Sequence, residues 1–173
     1  MAKINDLSDF SVSLYLKPMD QLNLPDSDFR TRKGKNGKNE IFDPYRKKFV
    51  SLTPEEGVRQ HFLSFMVHHL DFPASLIVVE AAISYNRMKK RFDILAYNSN
   101  GKPCMVVECK APSVDISQDV FDQAAMYNMS LGVEYLVVTN GLKHFACRID
   151  HEKRNYSFLP EIPDYMQMTK SQI

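Results

Sequence analysis

The chain has 173 residues, of which 44% are hydrophobic and 25% are charged, and its formal net charge is +1. This size and balance are typical of one globular domain and exclude a strongly basic protein that coats nucleic acid without specificity. No apolar run approaches the roughly 20 residues of a membrane span, and the N-terminus shows no signal-peptide core, so we expect a cytoplasmic protein. The cysteines have no CxxC spacing and the histidines no zinc-ligand spacing, which favours reduced thiols without a zinc site.

Two short strands are predicted before the first helix. Residues 29–33 and 40–42 flank the polar stretch 34–39, which contains Gly34, so an N-terminal hairpin with a basic tip is expected. Its positive charges either contact phosphate or form a solvated surface ribbon; they are Arg30, Arg32, Lys33, Lys35 and Lys38. We therefore divide the chain into an N-terminal extension (1–40), whose first 25 or so residues look irregular, a core (41–163) and a tail (164–173).

The first helix is predicted to begin after Thr53. Thr53 is a good N-cap, Pro54 suits the first helical position, and Glu55 and Glu56 suit the first turn. Apolar residues then recur at helical spacing to about residue 70, namely Val58, Phe62, Phe65, Met66 and Leu70. Because Glu55 falls on this apolar stripe, it either points into a site or joins Glu56 in simply capping the helix.

A strand over residues 75–83 and a hairpin over residues 91–110 are expected next. Glu80 in the strand is interpreted as a polar, outward position. Asn100 and Gly101 favour a two-residue type I′ turn, and this turn sets Asp93 directly opposite Glu108. Two opposed carboxylates, with Cβ atoms about 5 Å apart, require a cation such as a divalent metal ion between them. Lys110 should share the face of Glu108, since side chains alternate along a strand.

The second half of the chain predicts a helix followed by three strands. The helix is expected from residue 117 or 118 to about 131, with a buried face formed by Val120, Ala124, Tyr127 and Leu131. Gln123 lies one turn before Tyr127, so both should point inward, as a functional pair or as an ordinary buried hydrogen-bond pair. Strands follow over residues 133–139, 144–149 and 155–159. The order β-β-α-β-β-β-α-β-β-β predicts an α/β sandwich around a mixed sheet, with the second helix as a parallel crossover.

The acids and the lysine suit metal-assisted hydrolysis of a phosphodiester. Mg²⁺ prefers oxygen ligands, which Asp93, Glu108 and the backbone carbonyl of Cys109 offer, with Glu55 completing the shell directly or through water. Lys110 has three open roles: orienting water, acting as a base, or stabilising transition-state charge. The thiol of Cys109, on the opposite face, should pack rather than react.

These residues resemble a known family. Asp93 followed by Glu108, Cys109 and Lys110 resembles the D…(D/E)xK signature of the PD-(D/E)xK nuclease superfamily, with Arg91-Phe92 replacing its proline. Gln123 to Tyr127 is similar to the QxxxY motif of the RecB-like branch. Five segments in order resemble the N-terminal nuclease domain of type I restriction enzyme R subunits: LTPEEGVRQHF, KKRFDILAY, VVECKAP, FDQAAMYN and LVVTNG.

The resemblance implies a restriction-endonuclease fold and Mg²⁺-dependent cleavage of DNA, with Mn²⁺ able to substitute. Asp93 and Glu108 would bind the metal, Lys110 would be catalytic, and the helix acid would be Glu55, with Glu56 one step out of register. A homodimer or restriction-modification partner subunits are expected. Since no GxxxxGK[ST] loop occurs, we expect no DNA translocation by this chain itself. The alternatives are a non-catalytic DNA-binding or regulatory module that retains the fold, and a hydrolase of RNA or another phosphate substrate.

Overall fold

The computed structural model describes residues 22–85, 88–129 and 132–170, which form two sheets and three helices. The elements in chain order are β1 Thr31–Lys33, β2 Asn39–Asp43, β3 Lys48–Ser51, α1 Pro54–His68, a 3₁₀ turn Ala74–Leu76, β4 Ile77–Tyr85, β5 Met88–Tyr97, β6 Pro103–Cys109, α2 Gln118–Met129, β7 Tyr135–Thr139, β8 His144–Asp150, β9 Asn155–Phe158 and α3 Tyr165–Lys170. The predictions for residues 1–21 and for Leu131 lie outside the described residues.

The N-terminal hairpin has a third strand that was not predicted. β1, β2 and β3 form an antiparallel sheet in that order. The side chain of Asp43, the last residue of β2, forms the turn that follows: its Oδ1 accepts the backbone N–H groups of Tyr45 at 2.7 Å and Arg46 at 2.9 Å. This side-chain turn folds the chain back into β3, which at four residues is too short to show a clear alternating pattern.

Helix α1 confirms its predicted start and its apolar stripe. Thr53 Oγ1 accepts the N–H of Glu56 at 3.1 Å, as an N-cap does. Val58, Phe62 and Met66 are fully buried against the large sheet. The helix ends at His68, two residues before the predicted end, where the N–H of His69 donates to the carbonyl of Phe65 at 2.9 Å.

The large sheet has six strands in the order β4-β5-β6-β7-β8-β9. β6 and β7 are parallel and every other neighbouring pair is antiparallel, so the predicted mixed sheet with a helical crossover is confirmed. All five side chains of β7 are buried. Such a strand, apolar on both faces, is typical of the centre of a sheet covered by helices.

Two apolar clusters cover the two faces of this sheet. Ile94 and Val107 belong to the cluster under α1, whereas their neighbours Leu95 and Val106 belong to the cluster under α2. Because side chains alternate along a strand, the clusters lie on opposite faces. The domain therefore has three layers, helix, sheet and helix.

The segment predicted as a tail contributes to the core. Residues 165–170 form α3, whose Met168 is 1% exposed in the cluster under α1. The N–H of Tyr165 donates to the carbonyl of Leu70 at 2.9 Å. This helix fastens the end of the described chain to the end of α1.

The turn between β5 and β6 is longer than predicted, yet the register is the predicted one. Asn98 Oδ1 accepts the N–H groups of Asn100 at 3.0 Å and Lys102 at 2.9 Å, which makes a turn with only Gly101 of the Asn-Gly pair at positive φ (+73°). A bulge between Ala96 and Tyr97 then compensates, because Tyr97 faces Pro103 and Ala96 faces Met105. Cys104 is the residue left between them.

The predicted buried face of α2 was wrong by one residue. Phe121, Ala125 and Asn128 are buried, whereas Val120 and Ala124 are half-buried and Gln123 is exposed. Phe121 sets this rotation, since its ring lies 5.3 Å from that of Tyr156 and 4.7 Å from that of Phe158. The aromatic cluster with β9 therefore outweighs the Val120 stripe.

In the described part of the chain, no helix is both long and apolar enough to cross a membrane.

Candidate active site

Asp93 lies where β5 and β6 stop pairing. The last pair of the two strands is Ile94 with Val107, and Asp93 and Glu108 are the residues next to this pair. There, Asp93 Oδ2 accepts the backbone N–H of Cys109 at 2.7 Å. Ile94 packs under α1 and Phe92 under α2, although two residues on one strand normally share a face. The strand thus reverses its facing at Asp93, whose carboxylate reaches across to β6 and α1.

The thiol of Cys109 lies within electrostatic reach of three of the predicted site acids. This side chain is buried, and burial raises its pKa well above the ordinary value, helped by the negative charges of Asp93, Glu108 and Glu55 and opposed by Arg59. A direct contact is present for Asp93, whose Oδ2 accepts the backbone N–H of Cys109 at 2.7 Å, and the predicted convergence of the three carboxylates stays a prediction. The raised pKa keeps the thiol protonated, in line with its predicted packing role.

Glu108 and Lys110 flank Cys109 at the end of β6. Both are half-buried, while Cys109 between them is fully buried, as expected when Glu108 and Lys110 share the other face. The N–H of Lys110 donates to the carbonyl of Thr139 at 2.8 Å, which extends the pairing with β7 by one residue. The backbone of Lys110 is thereby fixed beside Glu108.

The apolar stripe favoured Glu55 as the acid that points inward, but Glu56 is the buried acid and Glu55 the more exposed one. The side chain of Glu55 is 46% exposed, and its Oε1 lies 3.8 Å from Arg59 Nη2. Glu56 is the buried acid: its carboxylate accepts from Arg46, from Arg59 Nη1 at 2.6 Å and from Gln60 Nε2 at 2.9 Å. Both positions lie in the first turn, where side chains are directed by the cap and by ion pairs as much as by the apolar face.

An ion-pair network that the sequence did not predict joins these acids. Arg59 is buried on α1, with Nη1 contacting Glu56 and, at 3.0 Å, Glu80 Oε1, and Nη2 contacting Asp93 Oδ1 at 2.6 Å. Burial alone would lower the pKa of this guanidinium, but Asp93 and Glu56 outweigh it and raise the pKa. Arg46 extends the network by pairing with Asp43, Glu56 and Glu80.

The prediction that Glu80 occupies an outward, polar position was wrong. It pairs with Arg59, Arg46 and Arg91. Its backbone is left-handed inside β4, with φ +54°, a conformation that costs a non-glycine residue about 1–2 kcal/mol. Its charge pairs hold it there. The one signal in the sequence was Arg59, a cation on the buried side of an amphipathic helix.

Gln123 is not buried as predicted. Gln123 is exposed on α2, because the helix is rotated toward Phe121. The side chain of Tyr127 lies outside the described residues. The structure thus places Asp93 against the end of β6, where Glu108 and Lys110 lie, and separates Gln123 from the buried face of its helix.

The donor set fits Mg²⁺ in its chemistry. The carboxylates of Asp93, Glu108 and Glu55 and the carbonyl of Cys109 are hard oxygen donors. As arranged, however, no three His, Cys, Asp or Glu side chains among residues 22–85, 88–129 and 132–170 form a group that could hold an ion. Instead, the guanidinium of Arg59 contacts Asp93.

Together these features define a three-layer α/β domain with acids and a lysine at the splayed ends of two central strands. Residues 54–163 match the family described as "Type I restriction enzyme R protein N terminus (HSDR_N)", and the chain belongs to this family. No curated protein matches the chain.

One solved structure with a similar fold is a fragment of a protein assigned as the HsdR subunit of a type I restriction enzyme from Vibrio vulnificus YJ016. Its TM-score is 0.52 at 21% sequence identity, over 69% of this chain and 25% of that one. The fold expected from the resemblance is confirmed. This chain spans about a quarter of the length of the matched structure.

Proposed function

We propose that this domain is a Mg²⁺-dependent endonuclease module that hydrolyses DNA phosphodiester bonds. The observation that carries the proposal is the contact of Asp93 Oδ2 with the backbone N–H of Cys109 at 2.7 Å, which sets this carboxylate at the end of β6 between Glu108 and Lys110. Membership in the restriction R-subunit family supports the same reaction class.

Each residue is assigned a role in this proposal. Asp93, Glu108 and the carbonyl of Cys109 would hold the ion, with Glu55 at the margin; when bound, Mg²⁺ supplies an activated water and neutralises charge on the phosphate. Lys110 lies beside Glu108 and donates to water or to the phosphate oxygens. Gln123 and Tyr127 are proposed to position the substrate, with Gln123 doing so from the exposed side of α2. Glu56 is assigned to the ion-pair network rather than to the metal.

DNA is the proposed substrate, and the partners would be restriction-modification subunits or a second copy of the chain. The N-terminal sheet presents exposed cations that suit a phosphate backbone: Arg32, Lys33, Lys35, Lys38, Lys47 and Lys48. Mn²⁺ is expected to replace Mg²⁺.

A second candidate function is a non-catalytic DNA-binding module that works with partner subunits. The ion pair between Arg59 and Asp93 favours it, because this contact occupies a carboxylate that a catalytic metal would use. The two candidates differ in one measurable property, the cleavage of DNA.

The test is nicking and linearisation of supercoiled plasmid at low salt with Mg²⁺ or Mn²⁺. We expect cleavage by the native protein and a loss of at least about 100-fold in Glu108→Ala and Lys110→Ala, since each removes a group at the reacting centre. Lys102→Ala, an exposed lysine in the turn before β6, is the matched control and should cleave normally.

Equal cleavage by all variants would contradict the site assignment. If the native protein binds DNA in a fluorescence anisotropy assay but does not cleave it with either metal, the non-catalytic candidate is correct.

A further inference from the structure

The guanidinium of Arg59 divides its contacts between two sets of acids. Nη1 contacts Glu56 at 2.6 Å and Glu80 at 3.0 Å. Nη2 contacts Asp93 at 2.6 Å and approaches Glu55 at 3.8 Å. One nitrogen is thus held by the buried network, and the other bridges two of the acids that the proposed function assigns to the metal.

Arg59 does not depend on Asp93 to remain paired. Glu56 and Glu80 are themselves fixed, since Arg46 contacts both and Gln60 donates to Glu56 at 2.9 Å. The Nε atom of Arg59 is buried and has no hydrogen-bond acceptor among the described residues. In this position the Nε donor of Arg59 is unsatisfied. The contacts of Nη1 with the carboxylates of Glu56 and Glu80 are enough to neutralise the guanidinium charge.

A guanidinium and a divalent ion compete for the same carboxylate. Two cations in contact with one pair of acids repel each other, and burial strengthens that repulsion. The side chain of Arg59 is only 6% exposed, so water screens its charge poorly.

We propose that Arg59 is an internal counter-ion that competes with the metal ion for Asp93 and Glu55. In the metal-free protein, Nη2 of Arg59 neutralises these acids; when a divalent ion binds, Arg59 gives up Asp93 and stays held by Glu56 and Glu80. The inference rests on the proposed metal site and adds to it a residue that sets how tightly the metal binds.

Arg46 provides a matched control. Like Arg59, it pairs with Glu56 and Glu80, but none of its contacts described here is with Asp93 or Glu55. Removing either arginine weakens the same network, whereas only the loss of Arg59 frees the metal-facing acids.

The experiment measures the binding of Mn²⁺ alone, without DNA, from the paramagnetic resonance signal of the free ion. Arg59→Gln should bind Mn²⁺ about tenfold more tightly than the native protein, and Arg46→Gln should stay within about twofold of it. Both variants should lose stability to urea. Equal Mn²⁺ affinities in the two variants, or weaker binding by Arg59→Gln than by Arg46→Gln, would overturn the proposal.

A second measurement needs no variant of Arg59. In ¹⁵N-labelled native protein, the spectrum of Arg46→Gln identifies which guanidinium N–H signals belong to Arg46 and which to Arg59. The signals of the buried Arg59 should shift or broaden as Mg²⁺ saturates the site. Saturation without any change in these signals would contradict displacement.

These outcomes also separate the inference from the function on which it rests. If the native protein and both variants bind no Mn²⁺ at millimolar concentration, the metal site itself is wrong and the inference fails with it. If all three bind with the same affinity, the metal site stands and only the role of Arg59 is rejected.

Discussion

At the scale of single residues, Gly141 shows how tightly the chain closes over the end of β7. Its φ is +83°, and a Cβ atom there would lie 2.7 Å from Leu22 Cδ2 and 3.0 Å from Val58 Cγ2. The N–H of Asn23 donates to the carbonyl of Gly141 at 2.7 Å, which holds the backbones together. Gly141 therefore permits both the left-handed turn and the close approach of α1.

We expect Gly141→Ala to lower the free energy of unfolding by about 2–3 kcal/mol, measured by urea denaturation. The loss combines backbone strain at positive φ with overpacking against Leu22 and Val58. Gly37→Ala is the control, because Gly37 has a similar φ of +74° but nothing within 4 Å of the added Cβ. Its loss should be about 1 kcal/mol, from the backbone alone. Equal losses at the two positions would show that packing at Gly141 is unimportant.

The residues that escaped prediction share one physical property. Arg59 and Glu80 are 21 residues apart on different elements, so their contact depends on how β4 packs under α1. Nothing local to Glu80 indicates a left-handed backbone, since glutamate avoids it unless distant charges hold it. By contrast, the places of Asp93, Glu108 and Lys110 on their strands were predictable, because strand alternation and a hairpin register are local.

At the scale of whole elements, predictions succeeded where the signal lay within one element. The start of α1 followed from Thr53, Pro54 and the apolar spacing of the helix itself, which are all local signals. The rotation of α2 did not, because both Val120-Ala124 and Phe121-Ala125 have helical spacing. The aromatic rings of β9, more than 30 residues later, decide between them. The β5–β6 register was right only because the longer turn and the bulge cancel.

His144 on β8 contacts β7 and the segment before β1, and its titration leads to a pH-dependent prediction. Its Nδ1 lies 2.7 Å from Thr139 Oγ1 on β7 and its Nε2 lies 2.9 Å from the carbonyl of Asn23. Burial lowers its pKa below the ordinary value, although the contact with Asn23 partly opposes the shift. The unfolded chain therefore binds this proton at a higher pH than the folded protein does.

Stability should fall as the pH decreases from about 6.5 toward the lower pKa of folded His144. We expect urea unfolding at pH 7.5 and pH 5.5 to show a smaller pH dependence in His144→Asn than in the native protein. His68→Asn, which changes an exposed histidine on α1, is the control. The same slope in all three proteins would exclude His144 as the titrating group.

At the scale of the whole molecule, charge is unevenly distributed although the net charge is only +1. The network around Arg59 buries charges of both signs, while the N-terminal sheet leaves its lysines in solvent. Arg32 already has two partners within the sheet, because it pairs with Glu40 at 2.7 Å and lies 3.9 Å above the ring of Phe49. Lys33, Lys35 and Lys38 are exposed and form no ion pair with a described residue, so these are the cations we expect to meet a polyanion.

We expect Lys33→Gln, Lys35→Gln and Lys38→Gln together to weaken DNA binding at 0.1 M salt. Each lost phosphate contact should also reduce the slope of log affinity against log salt by about 0.9. Fluorescence anisotropy over a salt series measures both. The control replaces Lys143 and Lys153, which are exposed far along the chain and paired with Asp115 and Asp150. An unchanged slope in the tip variant would exclude the N-terminal sheet from DNA binding.

The ion pair between Arg59 and Asp93 also bears on the charge balance of the fold. In small metal domains the ligands repel each other until the ion arrives, so the chain cannot fold without it. Here two arginines of the chain itself, Arg46 and Arg59, neutralise the buried acids Asp43 and Glu56 and the partly buried Glu80 and Asp93. The chain itself therefore neutralises these four acids, and the charge balance of the fold does not depend on a bound ion.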